Sequence, residues 1–233
     1  MRARRPTPAG PARIDAVDGL AHSLWLPAGE PLGGVVIVHG AGSCKESHHD
    51  FARACRNAGF AAVAYDQRGH GESGGRLDAH ALDDVATIAQ VLPPGPLALR
   101  GSSLGGWVAL CAAERAGADA VVAICPATGA GLARGVRAGT LGFDADHESL
   151  LALLSANEPA DAAARLEVPV LLLHAEGDEQ VPVAHSHEIA AGLRHPRSRL
   201  IAVPGGHHRS VQHDAELQGE VLRFLRRAFA ATA

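Results

Sequence analysis

Six short runs of consecutive apolar residues constrain the fold of this chain more than any other feature. They span residues 35–38, 61–65, 97–99, 120–124, 170–173 and 200–203. The runs are rich in β-branched residues and lack the alternation of half-exposed strands, which predicts strands buried on both faces. Helical patterns lie between most of them, at 48–57, 81–92, 104–115, 183–193 and 214–229. This alternation predicts an α/β fold with a mostly parallel central sheet and helices on both faces.

Three other segments complete the predicted layout of one domain over residues 1–233. Residues 13–27 carry a turn signal, Asp18-Gly19, between two apolar stretches, which predicts an antiparallel hairpin at the amino-terminal edge of the sheet. Residues 1–12 are rich in Pro, Arg and Ala, a composition that predicts a loose tail. Residues 126–168 predict a short cap, with a loop over 127–140 and short helices over 148–156 and 161–166.

Composition excludes several classes of function. The chain has 233 residues, of which 47% are hydrophobic and 20% charged, as in ordinary globular proteins. A net charge of −4 with only 3% aromatic residues gives no indication of a nucleic-acid partner. No apolar run approaches the ~18 residues of a membrane span, and no signal peptide is recognisable, so we expect a cytoplasmic protein. The four cysteines have no C-x-x-C spacing.

The pattern G-x-S-x-G occurs at Gly101-Ser102-Ser103-Leu104-Gly105, between an apolar run and a helical one. At a strand-to-helix junction this pattern places a serine on a sharp, strained turn, where its hydroxyl is exposed as a nucleophile. The setting singles out Ser103, because Ser102 occupies the position on the strand side.

Candidate partners for Ser103 follow two later apolar runs. Asp178 comes after a glycine just beyond the fifth run, with Glu176 and Glu179 as neighbouring acids. Two glycines after the sixth run lead into His207 and His208. A carboxylate can orient an imidazole, and an imidazole can carry protons near neutral pH. Ligands bind at the carboxyl ends of parallel strands, where these residues are expected to meet; spacing alone leaves both histidines open.

A glycine-rich turn, His39-Gly40-Ala41-Gly42, follows the first apolar run. Its backbone N–H groups can stabilise a developing oxyanion together with the N–H of the residue after the nucleophile. The candidate donors are therefore Ala41 and Leu104.

These motifs together resemble the α/β-hydrolase superfamily, in particular its compact monoglyceride-lipase-like and serine-aminopeptidase-like branch. A further segment, Asp66-Gln67-Arg68-Gly69-His70-Gly71-Glu72-Ser73, is a specific match to that branch and has a structural role in it. The resemblance implies an α/β-hydrolase fold, with Ser103 as nucleophile, Asp178 as acid and a histidine of the 205–208 turn as base. Motif alignment favours His208, and His207 is the alternative base because the doubled histidine departs from the family pattern.

The implied function is hydrolysis of an ester, thioester or amide of a small or medium acyl substrate through an acyl-enzyme. The alternatives are an aminopeptidase or acyltransferase on the same fold, or a member that binds a ligand without turnover. We expect no metal, because the fourteen histidines include no H-E-x-x-H motif, and no cofactor, because the glycines of 69–75 lack the G-K-[ST] of a nucleotide-binding phosphate loop.

Overall fold

A computed structural model describes residues 10–231, and they form one eight-stranded sheet surrounded by helices. The strands are β1 (Arg13–Val17), β2 (Leu20–Trp25), β3 (Gly34–Val38), β4 (Ala61–Tyr65), β5 (Leu97–Ser102), β6 (Ala120–Ile124), β7 (Val170–Ala175) and β8 (Arg199–Val203). Their order across the sheet is β1-β2-β4-β3-β5-β6-β7-β8. The pairs from β4 through β8 are parallel, and β1 and β2 add antiparallel strands at one edge. The predicted fold class and the edge hairpin are confirmed.

Nine α-helices lie among the described residues. They are α1 (His49–Asn57), α2 (Asp83–Ala89), α3 (Leu104–Ala116), α4 (Gly129–Ala138), α5 (His147–Ala156), α6 (Pro159–Arg165), α7 (Ala184–Gly192), α8 (Ser210–His213) and α9 (Ala215–Phe229). Short 3-10 helices span Lys45–His48 and Ala79–Leu82. None of the helices in residues 10–231 is long and apolar enough to cross a membrane.

The sheet separates two hydrophobic layers, because successive side chains of a strand point to opposite faces. In β3, Val36 and Val38 pack with Trp107 of α3 on one face. Val35 and Ile37 belong to the layer on the other face, which contains the apolar side chains of α1 and α9. All five β3 residues are buried, as the unbroken apolar run predicts.

The prediction of a loop over 127–140 is wrong, because residues Gly129–Ala138 form α4. Thr128 caps the amino end by accepting a hydrogen bond from the Gly131 N–H, and Gly139 ends the helix in the left-handed conformation. The interior glycines have low helix propensity, but burial of Leu132 and Val136 against the main core outweighs it. The helices expected after it are present as α5 and α6.

The predicted amino-terminal tail lies mostly outside the described residues, which begin at residue 10. Within the described part, the Ala12 N–H donates to the Leu24 carbonyl over 2.7 Å and so extends the β1–β2 pairing by one residue.

Candidate active site

Ser103 lies between the last residue of β5 and the first residue of α3, at the carboxyl end of the sheet. Its backbone has φ 55° and ψ −118°, in the positive-φ region that non-glycine residues rarely adopt. Such a conformation costs about 1–3 kcal/mol and is retained where it serves a site. The surrounding chain holds it in place: the Ser103 N–H donates to the Ile124 carbonyl over 2.9 Å.

Glycines are required on both sides of this turn because strand and helix approach each other closely. A Cβ at Gly101 would collide with the Gly105 carbonyl oxygen, and a Cβ at Gly105 would collide with the Val38 carbonyl of β3. The colliding atoms belong to the backbone and do not move aside as a flexible side chain does. The G-x-S-x-G pattern is therefore the sequence that this turn requires.

Asp178 and His208 meet beside the ends of β7 and β8. His208 Nδ1 lies 2.7 Å from Asp178 Oδ2. The other carboxylate oxygen, Oδ1, accepts hydrogen bonds from the Gln180 and Val181 N–H groups, each over 2.9 Å. Burial alone raises the pKa of the Asp178 carboxyl, but the Val181 and His208 hydrogen bonds outweigh it and lower the pKa. A charged Asp178 accepts a hydrogen bond from the Nδ1–H of His208, and this tautomer leaves Nε2 free to take a proton.

His207 does not contact this pair. Its side chain is exposed, and its Nδ1 accepts a hydrogen bond from the Arg209 N–H over 3.3 Å. The rival acids Glu176 and Glu179 are also exposed. Of the predicted candidates, the structure therefore brings together His208 and Asp178.

Ser103 and His208 line the same solvent-open cavity, whose volume is about 160 Å³. Ala41, a predicted oxyanion donor, lines it as well. Leu104, the other predicted donor, is the first residue of α3, where backbone N–H groups have no partner within the helix. The remaining walls come from several segments: Gly40, Ser43, Ser47, Ser102, Leu132, Leu141, Gln180, Arg209, Gln212 and His213.

A second cavity of about 390 Å³ is also lined by Ser103 and takes part of its wall from α4, through Gly131, Leu132 and Arg134. It shares Leu132, Leu141 and Gln180 with the first cavity and has more apolar walls, including Val181 and Pro182. Ser103 therefore stands between a smaller cavity that contains His208 and a larger, more apolar one.

His39 orders the glycine-rich turn as a neutral imidazole. Burial lowers its pKa to about 4. Its Nε2 accepts from the Gln67 N–H over 3.0 Å, so Nδ1 carries the proton and donates to the Gly40 carbonyl over 2.7 Å. These bonds tie the turn after β3 to the segment after β4.

The segment 66–73 has the structural role expected for it. Asp66 is fully buried and accepts hydrogen bonds from the Lys45 backbone, the Lys45 ammonium and the Glu72 N–H. Lys45 is the only lysine of the chain and also contacts Glu72 Oε2 at 2.6 Å. His70 stacks on Phe143, with ring centroids 4.6 Å apart, and so packs against the segment that follows α4.

One cluster within residues 10–231 has the spacing of a metal site, and it is built from Cys125, Asp178 and His208. Burial raises the pKa of the Cys125 thiol to about 12, which disfavours the thiolate that a metal needs as a ligand. The Asp178 oxygens are already engaged by hydrogen bonds to protein groups. The chemistry of this cluster therefore fits a carboxylate–imidazole pair better than a metal site.

Sequence reasoning missed a buried polar network behind Ser103. Arg100 of β5 is 1% exposed, and its guanidinium donates to His48 Nδ1 over 2.9 Å and to the Gln212 carbonyl over 3.0 Å. The Ser102 hydroxyl donates to Gln212 Oε1 over 2.8 Å. The available signal was an arginine directly after the apolar run Leu97–Leu99, within a strand that is otherwise uncharged.

Two family sequence models match this chain. One is described as serine aminopeptidase, S33, and matches residues 29–143; the other is described as TAP-like protein and matches residues 153–230. A monoacylglycerol lipase of Mycolicibacterium smegmatis is 26% identical over 240 residues, which cover 81% of this chain and 85% of that protein. Human monoglyceride lipase is 34% identical over 103 residues, which cover 40% of this chain and 34% of the lipase.

Solved structures share the fold at lower identity. A monoacylglycerol lipase of Paleococcus ferrophilus has a TM-score of 0.71 at 22% identity and covers 92% of this chain and 99% of its own. Est1E of Butyrivibrio proteoclasticus, in a structure with bound ferulic acid, has a TM-score of 0.74 at 22% identity. The match covers 94% of this chain and 100% of the Est1E chain. These likenesses establish the same arrangement of strands and helices.

Proposed function

We propose that this chain, which has the α/β-hydrolase fold, is a serine hydrolase that cleaves carboxylic esters through an acyl-enzyme. The observation that carries the proposal is the 2.7 Å contact between His208 Nδ1 and Asp178 Oδ2, in the cavity that Ser103 also lines. The similarity to the monoacylglycerol lipase of Mycolicibacterium smegmatis and to human monoglyceride lipase supports esters as the substrate class.

In the proposed mechanism, Ser103 Oγ attacks the ester carbonyl while His208 Nε2 takes the hydroxyl proton. The carbonyl oxygen becomes an oxyanion, which the Ala41 and Leu104 N–H groups stabilise. The tetrahedral intermediate collapses, and the C–O bond to the alcohol breaks as His208 gives its proton to the leaving oxygen. Water then attacks the acyl-enzyme with His208 as base, and the acid leaves with Ser103 restored.

Asp178 holds His208 in the productive tautomer and stabilises the imidazolium that forms during both steps. Its two backbone hydrogen bonds fix the orientation of the carboxylate. The lowered pKa of Asp178 keeps the group charged at neutral pH, as this role requires.

An aminopeptidase is the competing activity, since one matching family model carries that description. Recognition of a peptide amino terminus calls for a carboxylate near the scissile bond, to pair with the ammonium group. Among the described residues that line the two cavities at Ser103, there is no Asp or Glu. The site therefore favours an ester over an aminoacyl amide.

The test is hydrolysis of nitrophenyl butanoate by Ser103→Ala, with the exposed Ser155→Ala of α5 as the matched control. We expect Ser103→Ala to lose roughly 10⁴-fold or more in kcat and all labelling by a fluorophosphonate probe. Ser155→Ala should match the unmodified protein in both assays. Full activity of folded Ser103→Ala would overturn the proposal.

A panel of esters from acetate to dodecanoate, with aminoacyl amides beside it, then measures the substrate range. Because the cavity on one side of Ser103 has a volume of about 390 Å³, we expect kcat/KM to be highest for esters with a short or medium acyl chain. Faster cleavage of the amides than of the esters would show that the protein is an aminopeptidase and not an ester hydrolase.

A further inference from the structure

The two cavities at Ser103 carry local charge opposite to that of the whole chain. The chain has a net charge of −4, from 25 acidic and 21 basic residues. Nevertheless, the charged residues that line the cavities are Arg209 in the first and Arg134 in the second, joined by three histidines. No acidic side chain among the described residues belongs to either lining. Such a site attracts anions and repels cations.

The smaller cavity is the one that receives the alcohol part of the substrate. In the proposed mechanism His208 protonates the leaving oxygen, so this oxygen must lie within reach of His208. His208 lines the smaller cavity and is absent from the lining of the larger one. The alcohol therefore occupies the smaller cavity, which we call the leaving-group cavity, and the acyl chain occupies the larger one.

The leaving-group cavity is polar, with the hydroxyls of Ser43 and Ser47 and the side chain of Gln212 in its walls. Two of its cationic or potentially cationic groups already have a carboxylate partner: His208 contacts Asp178, and His213 Nδ1 lies 3.0 Å from Asp50 Oδ2. The guanidinium of Arg209 has neither an ion pair nor a hydrogen bond to another of the residues 10–231. Arg209 is the uncompensated charge of this cavity.

We propose that Arg209 makes the protein select esters whose leaving alcohol carries an anionic group, a carboxylate or a phosphate. The inference rests on the proposed ester hydrolysis and specifies its substrate. A planar guanidinium binds either anion through two parallel N–H donors, and the hydroxyls of Ser43 and Ser47 in the same cavity lining can donate to the third terminal oxygen of a phosphate. An alcohol with a cationic group would meet Arg209 without an acid in the cavity lining to balance it.

The test compares kcat/KM for pairs of esters that share the butanoyl group. The phosphate arm pairs monobutanoylglycerol 3-phosphate with monobutanoylglycerol. The carboxylate arm pairs the butanoyl ester of glycolic acid with that of glycolamide. We expect the anionic member to be preferred in at least one arm, and the arm with the larger ratio identifies the anion. In Arg209→Gln that ratio should fall by roughly three- to fivefold, the effect of a partly exposed ion pair.

Arg137→Gln is the matched control, because Arg137 is an exposed arginine of α4 that lines neither cavity. It removes the same charge and should leave the ratio unchanged, whereas added salt should lower the ratio of the unmodified protein. Hydrolysis of the neutral esters without any anion preference overturns this inference alone. An equal fall in both arginine variants also overturns it, because a general field effect then explains the preference. If Ser103→Ala hydrolyses the esters at the same rate as the unmodified protein, that result overturns the proposed function, and with it this inference.

Discussion

The adjacent histidines at 207 and 208 differ in what their rings contact, and this difference predicts which of them is the base. His208 Nδ1 reaches Asp178 at 2.7 Å, whereas the His207 ring is exposed and accepts a hydrogen bond from the Arg209 backbone. We expect His208→Gln to lower kcat by about 10³-fold or more, because Ser103 loses its proton acceptor. His207→Gln should stay within about threefold of the unmodified protein, since an exposed substitution has little effect. Stopped assays of kcat on nitrophenyl butanoate measure both.

The reverse result, with His207→Gln inactive and His208→Gln active, would show that the 205–208 turn adopts another arrangement during catalysis. Spacing alone does not distinguish these residues, because both follow the same two glycines, and motif alignment favours His208 without excluding His207. The distinction depends on the direction in which the turn leaves β8, which is set by contacts with β7 that no local pattern records. The Gly177 N–H, for example, donates to the Gly205 carbonyl over 2.9 Å.

At the scale of elements, α8 links the base to the nucleophile. It begins two residues after His208, and Gln212 within it is held by β5 at two points. The Gln212 carbonyl accepts from Arg100, and its side-chain oxygen accepts from Ser102, the residue next to Ser103. The segment that carries His208 is thus attached directly to the strand that carries Ser103.

We expect Gln212→Ala and Ser102→Ala each to lower kcat by about three- to tenfold with little change in KM, the effect of one hydrogen bond. The double variant should be no worse than the poorer single variant, because both remove the same bond. The control is Ser198→Ala, which removes an acceptor for the Val170 N–H at the opposite end of the sheet. The positioning role would be contradicted if the losses in kcat of Ser102→Ala and Gln212→Ala add up in the double variant. An equal loss in kcat for Ser198→Ala would contradict it as well.

The elements also show where sequence reasoning works and where it fails. Five of the six strands expected to be buried on both faces are buried and lie at nearly the expected bounds, since an unbroken apolar run has few other stable placements in a globular protein. The expectation is wrong for the sixth, β8, which is only partly buried because it is the edge strand of the sheet. The helix Gly129–Ala138 was missed because its glycines argue against a helix locally, while its stability comes from burial of Leu132 and Val136. The bond between Ser102 and Gln212 joins residues 110 positions apart, a separation across which spacing carries no signal.

For the whole molecule, Lys45 and its carboxylates tie the segment after β3 to the segment after β4. Asp66 Oδ2 lies 2.9 Å from Lys45 Nζ and Glu72 Oε2 lies 2.6 Å from it, but the Asp66 side chain is 0% exposed and that of Glu72 is 71% exposed. We expect Asp66→Asn to lower the free energy of unfolding by about 3–5 kcal/mol, because Lys45 is left buried without its buried partner. Glu72→Gln, despite the shorter contact, should cost less than about 1 kcal/mol.

Urea denaturation of the two variants beside the unmodified protein measures this difference. Equal losses of stability would show that the exposed carboxylate contributes as much as the buried one, which contradicts the argument from desolvation. The comparison is matched, because both variants replace a carboxylate by an amide on the same lysine.

The burial of histidines across the molecule predicts its response to acid. Burial lowers the pKa of five of them: His39, His48, His49, His70 and His174. Each is neutral in the folded protein at a pH where the unfolded chain, with a pKa of about 6.5, already binds a proton. The unfolded state therefore binds more protons below this pH, and the free energy of unfolding falls as the pH falls.

For His39, whose pKa is lowered to about 4, the loss runs from about pH 6.5 down to about pH 4 and amounts to on the order of 3 kcal/mol. Because domains are stable by only about 5–15 kcal/mol, we expect cooperative acid unfolding to begin above pH 4. Urea denaturation at intervals from pH 7 to pH 4 measures the slope. His39→Gln should reduce the slope, because the titrating group is removed, while the exposed His207→Gln should leave it unchanged. A slope that His39→Gln does not alter would mean that the His39 ring is protonated in the folded protein, with Nε2 no longer able to accept from Gln67.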